Sequence, residues 1–361
     1  MASVCFYFQI HQPFRLRPYQ IFHIGRDHDY FEFGEGPTSN KKIIEKVAKN
    51  CYIPATNLLI EMLEKNKEFK CSFSISGIAL EQLEKYAPKV IENFQEMAKT
   101  KRVEFLAETY YHSLAWLYSS LEFESQVHMH HKKMMDLFGY EPTAFRNTEL
   151  IYENKLAVEV EKLGYKVVLA EGADHILGWR SPNYIYSPMG TENLKLLMKN
   201  YRLSDDIAFR FSDQNWGDWP LTADKYAGWL SDINGNGYVV NLFLDFETFG
   251  EHHAEDTGIF EFMKHLPKEV LSKTDMDFVT VTEASEKYPV SDVIDVPYPI
   301  SWADEKRSLS AWTDNAMQRS ALKAIFAIEE EIRNANEVQL LDDWRKLQSS
   351  DHFYYMSTST L

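Results

Sequence analysis

Cysteine, net positive charge and long apolar runs are all scarce in this chain, and each scarcity excludes a class of function. Only three cysteines occur in 361 residues: Cys5, Cys51 and Cys71. An odd set without metal-ligand spacing builds neither a disulfide framework nor a cysteine metal site. Buried free thiols in a reducing compartment are the expectation. Basic residues number 38 against 54 acidic ones, a formal charge of −16. Phosphate binding needs clustered Lys and Arg, so a nucleic-acid partner is excluded, and an anionic membrane surface with it. No apolar run approaches the roughly 20 residues of a membrane span. The N-terminus has no basic stretch leading into an apolar one, and no Asn-x-Ser/Thr acceptor occurs. Together these absences point to the cytoplasm.

Several catalytic signatures are missing too. There is no His-Glu-x-x-His, no Walker A loop, no Gly-x-Gly-x-x-Gly after a strand and no Gly-x-Ser-x-Gly elbow. The twelve histidines contain no His-x3-His pair, which a metal-dependent polysaccharide deacetylase on a similar barrel would carry. His128, His130 and His131 sit beside Lys132 and Lys133 on one helix and read as a solvated face. No metal and no cofactor are expected.

Aromatic residues are abundant: 23 Phe, 20 Tyr and 8 Trp make 14% of the chain, enough to offer stacking faces to a neutral, hydroxyl-covered ligand. Short apolar strands alternate with amphipathic helices, the pattern of a parallel sheet or barrel. Strands are expected at 4–10, 71–76, 102–107, 143–146, 166–170, 238–245 and near 277–281. Segment 171–215 reads as irregular, decorating the barrel mouth. From about residue 310 the pattern turns helical, over 311–333 and 337–347. The expected fold is α/β: an incomplete TIM-like (β/α)7 barrel over 1–290, followed by a C-terminal helical region over 291–361.

In such folds chemistry collects where strands end. Those ends read His11-Gln12-Pro13, then Ser76 to Glu81, Glu108 to His112, Arg146-Asn147-Thr148-Glu149, and Asp245 to His253. Each group alone has a structural explanation; Glu81, for instance, sits where a helix dipole favours an acid. A carboxylate or imidazole at most strand ends is harder to explain structurally, because an unpaired buried charge costs several kcal/mol. Paired carboxylates with aromatic walls are what glycoside hydrolysis uses.

With these ends aligned, the sequence resembles glycoside hydrolase family 57, in particular its α-amylase-like members. The resemblance rests on five ordered segments. They are His11-Gln12-Pro13, Gly77-Ile78-Ala79-Leu80-Glu81, Phe145-Arg146-Asn147-Thr148-Glu149-Leu150, Leu244 to Gly250, and Ser301-Trp302-Ala303-Asp304-Glu305 with Leu309 to Trp312. It implies a retaining α-glucan hydrolase of α-amylase type acting on starch, glycogen or maltodextrins. Glu149 corresponds to the nucleophile and Asp245 to the general acid/base. His11, Gln12, Glu81, Glu247 and Asp304 lie in the same motifs as substrate contacts, and Arg146 as a helper of Glu149. His112 joins them from its strand-end position. Trp116, Trp216, Trp219, Trp302 and Trp312 are candidates for stacking on glucose, with core packing as the rival explanation. A 4-α-glucanotransferase or branching enzyme shares the same acids, and a non-catalytic carbohydrate-binding relative shares the cleft. Amylase-like relatives run on beyond the position of Leu361, so the expectation is either a shortened chain or a naturally short member.

Overall fold

The computed structural model describes residues 2–273 and 275–358; residues 359–361, the end of the expected helical region, lie outside the described residues. Strands form, in chain order, at β1 (Ala2–Ile10), β2 (Cys71–Ile75), β3 (Val103–Phe105), β4 (Ala144–Phe145), β5 (Val167–Ala170), β6 (Ile185–Pro188), β7 (Lys195–Met198), β8 (Val239–Asp245), β9 (Met276–Phe278) and β10 (Val290–Ile294). All nine residues of β1 are buried, and only Ser3 and Gln9 among them are polar. A strand covered on both faces has to read this way. It is the centre of one parallel sheet ordered β3-β2-β1-β8, with β9 pairing the N-terminal end of β1. The second sheet runs β10-β6-β7-β5-β4 and is parallel except where β6 meets β7.

Backbone bonds connect the sheets on both sides. Ala107 N–H donates to Ala144 O and Arg146 N–H to Ala107 O, each at 2.9 Å. On the other side Asn200 N–H donates to Asn241 O at 2.9 Å, and the Asn241 side-chain amide Nδ2 donates to Met198 O at 2.9 Å. The two-residue period of β1 then divides the core. Val4, Phe6, Phe8 and Ile10 pack outward with helix Ile53–Lys65 and its neighbours. Cys5 and Tyr7 point inward to Leu169, Leu197 and Phe243, in an apolar cluster shared by both sheets. Parallel register brings the strand ends together: Gln9 pairs with Ser74 on one side and Asp245 on the other. His11, Ser76 and the turn after Asp245 therefore emerge side by side.

The structure differs from the sequence expectations in three places. Segment 171–215 is not wholly irregular: it carries β6, β7 and the helices Asp174–Leu177 and Tyr201–Ala208, and strands of four residues are too short to show a period. The 311–333 helix is three helices, because Asn315 and Gln318 form a capping box that starts a new one. His130 is buried rather than solvated: it accepts from Glu108 N–H through Nδ1 at 3.3 Å, and its Nε2 lies 2.8 Å from Ile75 O. No helix among the described residues is long and apolar enough to cross a membrane.

Two glycines with positive φ make a stability test. Gly250 (φ +116°) closes the turn after β8, and an added Cβ would lie 2.1 Å from Asn50 O. Gly139 (φ +60°) ends helix Ser120–Phe138 with no atom within 4 Å of a Cβ. Gly139→Ala is expected to cost about 1 kcal/mol and Gly250→Ala about 3 kcal/mol, read as the order of their unfolding midpoints.

Candidate active site

The strand ends surround a cavity of about 450 Å³. Glu149 and Asp245 both line it, with Trp302 and Lys199. Glu149 follows β4 and takes a left-handed backbone conformation (φ 58°, ψ 26°), as does Leu150 after it. Such a conformation costs a non-glycine residue roughly 1–2 kcal/mol and persists only where the surroundings enforce it. The carboxylate is held by donors on both oxygens. Trp302 Nε1–H donates to Oε2 at 2.8 Å, Ser350 Oγ–H donates to Oε1 at 2.9 Å, and His112 Nε2 lies 3.4 Å from Oε1. Burial alone would raise the pKa of Glu149, but the bond and charge of His112, with Arg146 beyond, outweigh it and hold the group below the usual range.

Asp245 ends β8. Among the described residues no donor reaches its carboxylate within hydrogen-bonding distance. Burial raises its pKa, and the charge of Glu149 pushes it in the same direction. Two carboxyl groups of one cavity are thus driven apart: one toward the anion, the other toward the acid. Glu247 follows in the same turn. Tyr52 and Gln12 donate to its Oε1, and burial with the charge of Asp245 raises its pKa to about 8.

A second layer lies under the cavity floor. Glu108 and His112 are both buried, with His112 Nδ1 2.9 Å from Glu108 Oε2. The His11 ring stacks on His112 at 3.9 Å between centroids, and its Nε2 lies 2.8 Å from Asp351 Oδ2. Arg146 is fully buried; its guanidinium is 4.9 Å from the centre of the Trp302 ring and has no hydrogen-bond partner among the described residues. Lys199 also lies over the Trp302 ring, at 5.3 Å.

Other sequence candidates lie elsewhere. Glu81 does not line the cavity and accepts from Tyr110 O–H at 2.7 Å. Asp304 is occupied by its own turn, accepting from Ser308 N–H and Oγ–H, each at 3.0 Å, and from Ser310. Trp312 is fully buried in the C-terminal helical core, and Trp116 packs beside it, donating to Glu153 at 3.2 Å. Trp216 packs on the outer core. Trp219 is 44% exposed and lines a separate surface groove with Phe211 and Glu261. Of the five tryptophans, Trp302 alone lines this cavity.

Sequence reasoning missed Lys199, Ser350, Asp351, Tyr354 and Tyr355, all of which line the cavity or hold Glu149. Lys199 follows the unrecognised β7. The others come from helix Ser350–Tyr354 and from Tyr355 just after it, some 200 positions beyond Glu149, and no local pattern marks them as site residues. Glu108 did carry a signal, four residues before His112 at the end of β3.

Comparison with known proteins bears on this arrangement. The family model of glycosyl hydrolase family 57 matches residues 5–297. A Methanocaldococcus jannaschii protein named "Putative alpha-amylase" is 41% identical over 370 aligned positions, spanning 99% of this chain and 77% of its own. The fold is similar to that of a GH57-type branching enzyme from Pyrococcus horikoshii (TM-score 0.76, 14% identity), covering 98% of this chain and 85% of the other. It is also similar to a 4-alpha-glucanotransferase from Thermococcus litoralis (TM-score 0.66, 17% identity), covering 96% of this chain but only 48% of that enzyme, about half its length. With a family match over residues 5–297 and 41% identity along nearly its whole length to an amylase-named relative, the chain belongs to glycosyl hydrolase family 57 and is a glycoside hydrolase.

Proposed function

We propose that this chain is a retaining α-glucan hydrolase of α-amylase type, cleaving α-1,4-glucosidic bonds of starch, glycogen or maltodextrins. One observation carries the reading: Glu149 and Asp245 share a cavity, with their pKa values pushed in opposite directions. Glu149, ionised, attacks the anomeric carbon while Asp245 passes its proton to the departing glycosidic oxygen. The covalent ester removes the charge of Glu149, which is one of the two causes raising the pKa of Asp245. With that charge gone the pKa of Asp245 falls, so the group, having given up its proton, stays the carboxylate that the second step needs and takes a proton from the attacking water. Trp302 supplies an indole face in the cavity, whereas Glu247, held by Tyr52 and Gln12, is not among the residues that line it.

The fold supports the same reading. Strands β1, β2, β3, β4, β5, β7 and β8, joined at Ala107–Phe145 and Asn200–Asn241, read as an incomplete (β/α)7 barrel. Residues 1–290 then form the catalytic unit, with 291–361 folded onto its mouth. The three cysteines are free and buried, in keeping with a cytoplasmic setting. A 4-α-glucanotransferase or branching activity would use the same two acids and differ in whether water or a sugar hydroxyl meets the ester.

Two measurements test the reading. Glu149→Gln and Asp245→Asn, checked for folding by circular dichroism, are each expected to lose at least about 10³-fold in cleavage of maltoheptaose. Full activity in either would remove that residue from its role. Products shorter than maltoheptaose mean hydrolysis, and longer ones mean transfer. The dependence of kcat/KM on pH is expected to be bell-shaped. Its acid limb belongs to Glu149 and lies below the ordinary glutamate range of about 4.3; its alkaline limb belongs to Asp245 and lies above the ordinary aspartate range of about 3.9.

A further inference from the structure

We propose that Glu108 is a positioning residue for the nucleophile: it fixes His112 as an imidazolium whose Nε2–H faces Glu149, and so keeps Glu149 ionised and in one orientation. This rests on the reading of Glu149 as nucleophile. The geometry is a relay from two buried groups to a third that is 22% exposed. Glu108 Oε2 is 2.9 Å from His112 Nδ1, and His112 Nε2 is 3.4 Å from Glu149 Oε1. A ring with a carboxylate at each nitrogen can satisfy both only by carrying a proton on each, which is the charged form.

The neighbours of the relay leave His112 in its charged imidazolium form, while the Asp351 charge opposes the ionisation of Glu149. Glu108 is fully buried, and its other oxygen takes a 3.4 Å bond from the Gln9 amide, with Gln9 in turn fixed by Tyr7 and Ser74. Its backbone N–H is tied to neutral His130, which cannot compete for the carboxylate. His11, stacked on His112, is kept toward its neutral form by burial and by the His112 charge, and its Nε2–H goes to Asp351. Arg146 adds a second, more distant positive charge that acts on both Glu108 and Glu149. Burial disfavours charge on His112, but the two carboxylates outweigh it and raise its pKa to about 9; the same contact lowers Glu108 to about 2.

The backbone has been bent to make this contact. His112 has φ +50° and Glu149 φ +58°, so both ends of the 3.4 Å contact are non-glycine residues in the left-handed region. The turn at His112 is closed by its N–H donating to Thr109 O at 3.0 Å, and Ser350 N–H caps its carbonyl at 3.0 Å. Of the three groups against the Glu149 carboxylate, Trp302 and Ser350 are neutral hydrogen-bond donors that orient it, and His112, in contact at 3.4 Å, is the one that brings charge.

Glu108→Gln keeps the shape and removes the charge. On maltoheptaose, its kcat is expected to fall about tenfold or more with KM changed less than twofold, and the acid limb of kcat/KM to rise by about one pH unit. Glu108→Asp, which keeps the charge, is expected to retain the low acid limb. An unmoved acid limb in Glu108→Gln, alongside an inactive Glu149→Gln, would overturn the proposal while leaving the nucleophile in place. Activity in Glu149→Gln would instead sink the reading beneath it. A measurement independent of turnover and of any Glu108 variant is the NMR titration of the His112 ring in the wild-type enzyme. The ring is expected to remain charged through pH 8; titration below pH 7 would overturn the proposal.

Discussion

An anion held inside a protein must be surrounded by something that replaces water, and the interior of this molecule is arranged around that requirement. Glu149 sits where the inner apolar cluster of the two sheets gives way to the cavity, with 22% of its side chain exposed. A carboxylate in such a place either takes up a proton or is paired with hydrogen-bonded charge. Trp302, Ser350 and His112 provide the pairing here, and each arrives from a different part of the chain. The register of β1 against β2 and β8, the turn at His112 and the docking of helix Ser350–Tyr354 all serve the placement of those donors.

Asp245 shows the complementary solution. It lines the same cavity with no donor among the described residues, and burial and the charge of Glu149 favour its neutral acid. The contrast comes from supporting groups rather than from residue type or depth. Exchanging the donor sets of the two carboxyls would exchange their protonation, which is why the second layer of side chains matters as much as the two acids.

Much of this was legible in the sequence, for physical reasons that differ by element. Strand β1 could be read because burial on both faces forces nine consecutive residues to be small, apolar or internally bonded. Gly139 marked the end of its helix because a left-handed cap favours glycine. Glu149, Asp245, His11 and His112 stood out because charged groups at buried strand ends need a reason. The tryptophans did not separate, since an indole that stacks on sugar and one that fills a core present the same residue to a reader; Trp302 and Trp312 lie ten positions apart with opposite fates. Strands β6 and β7 escaped because four residues carry too little period. Ser350 and Asp351 escaped because their meaning is tertiary, set by what the strands present when that helix docks.

That docking has a consequence in time. His11 and Asp351 are 340 positions apart, and Ser350 and Glu149 are 201 apart, yet both pairs meet beside the cavity. The sheet closes over comparable separations, Ser3 pairing with Val239, so what sets these contacts apart is chain order: helix Ser350–Tyr354 follows every strand. During synthesis, a ribosome that has released the strands and both acids still retains the helix that completes the pocket. The parallel sheets can therefore assemble well before Glu149 has all its donors, and the molecule acquires its structure before it acquires its chemistry.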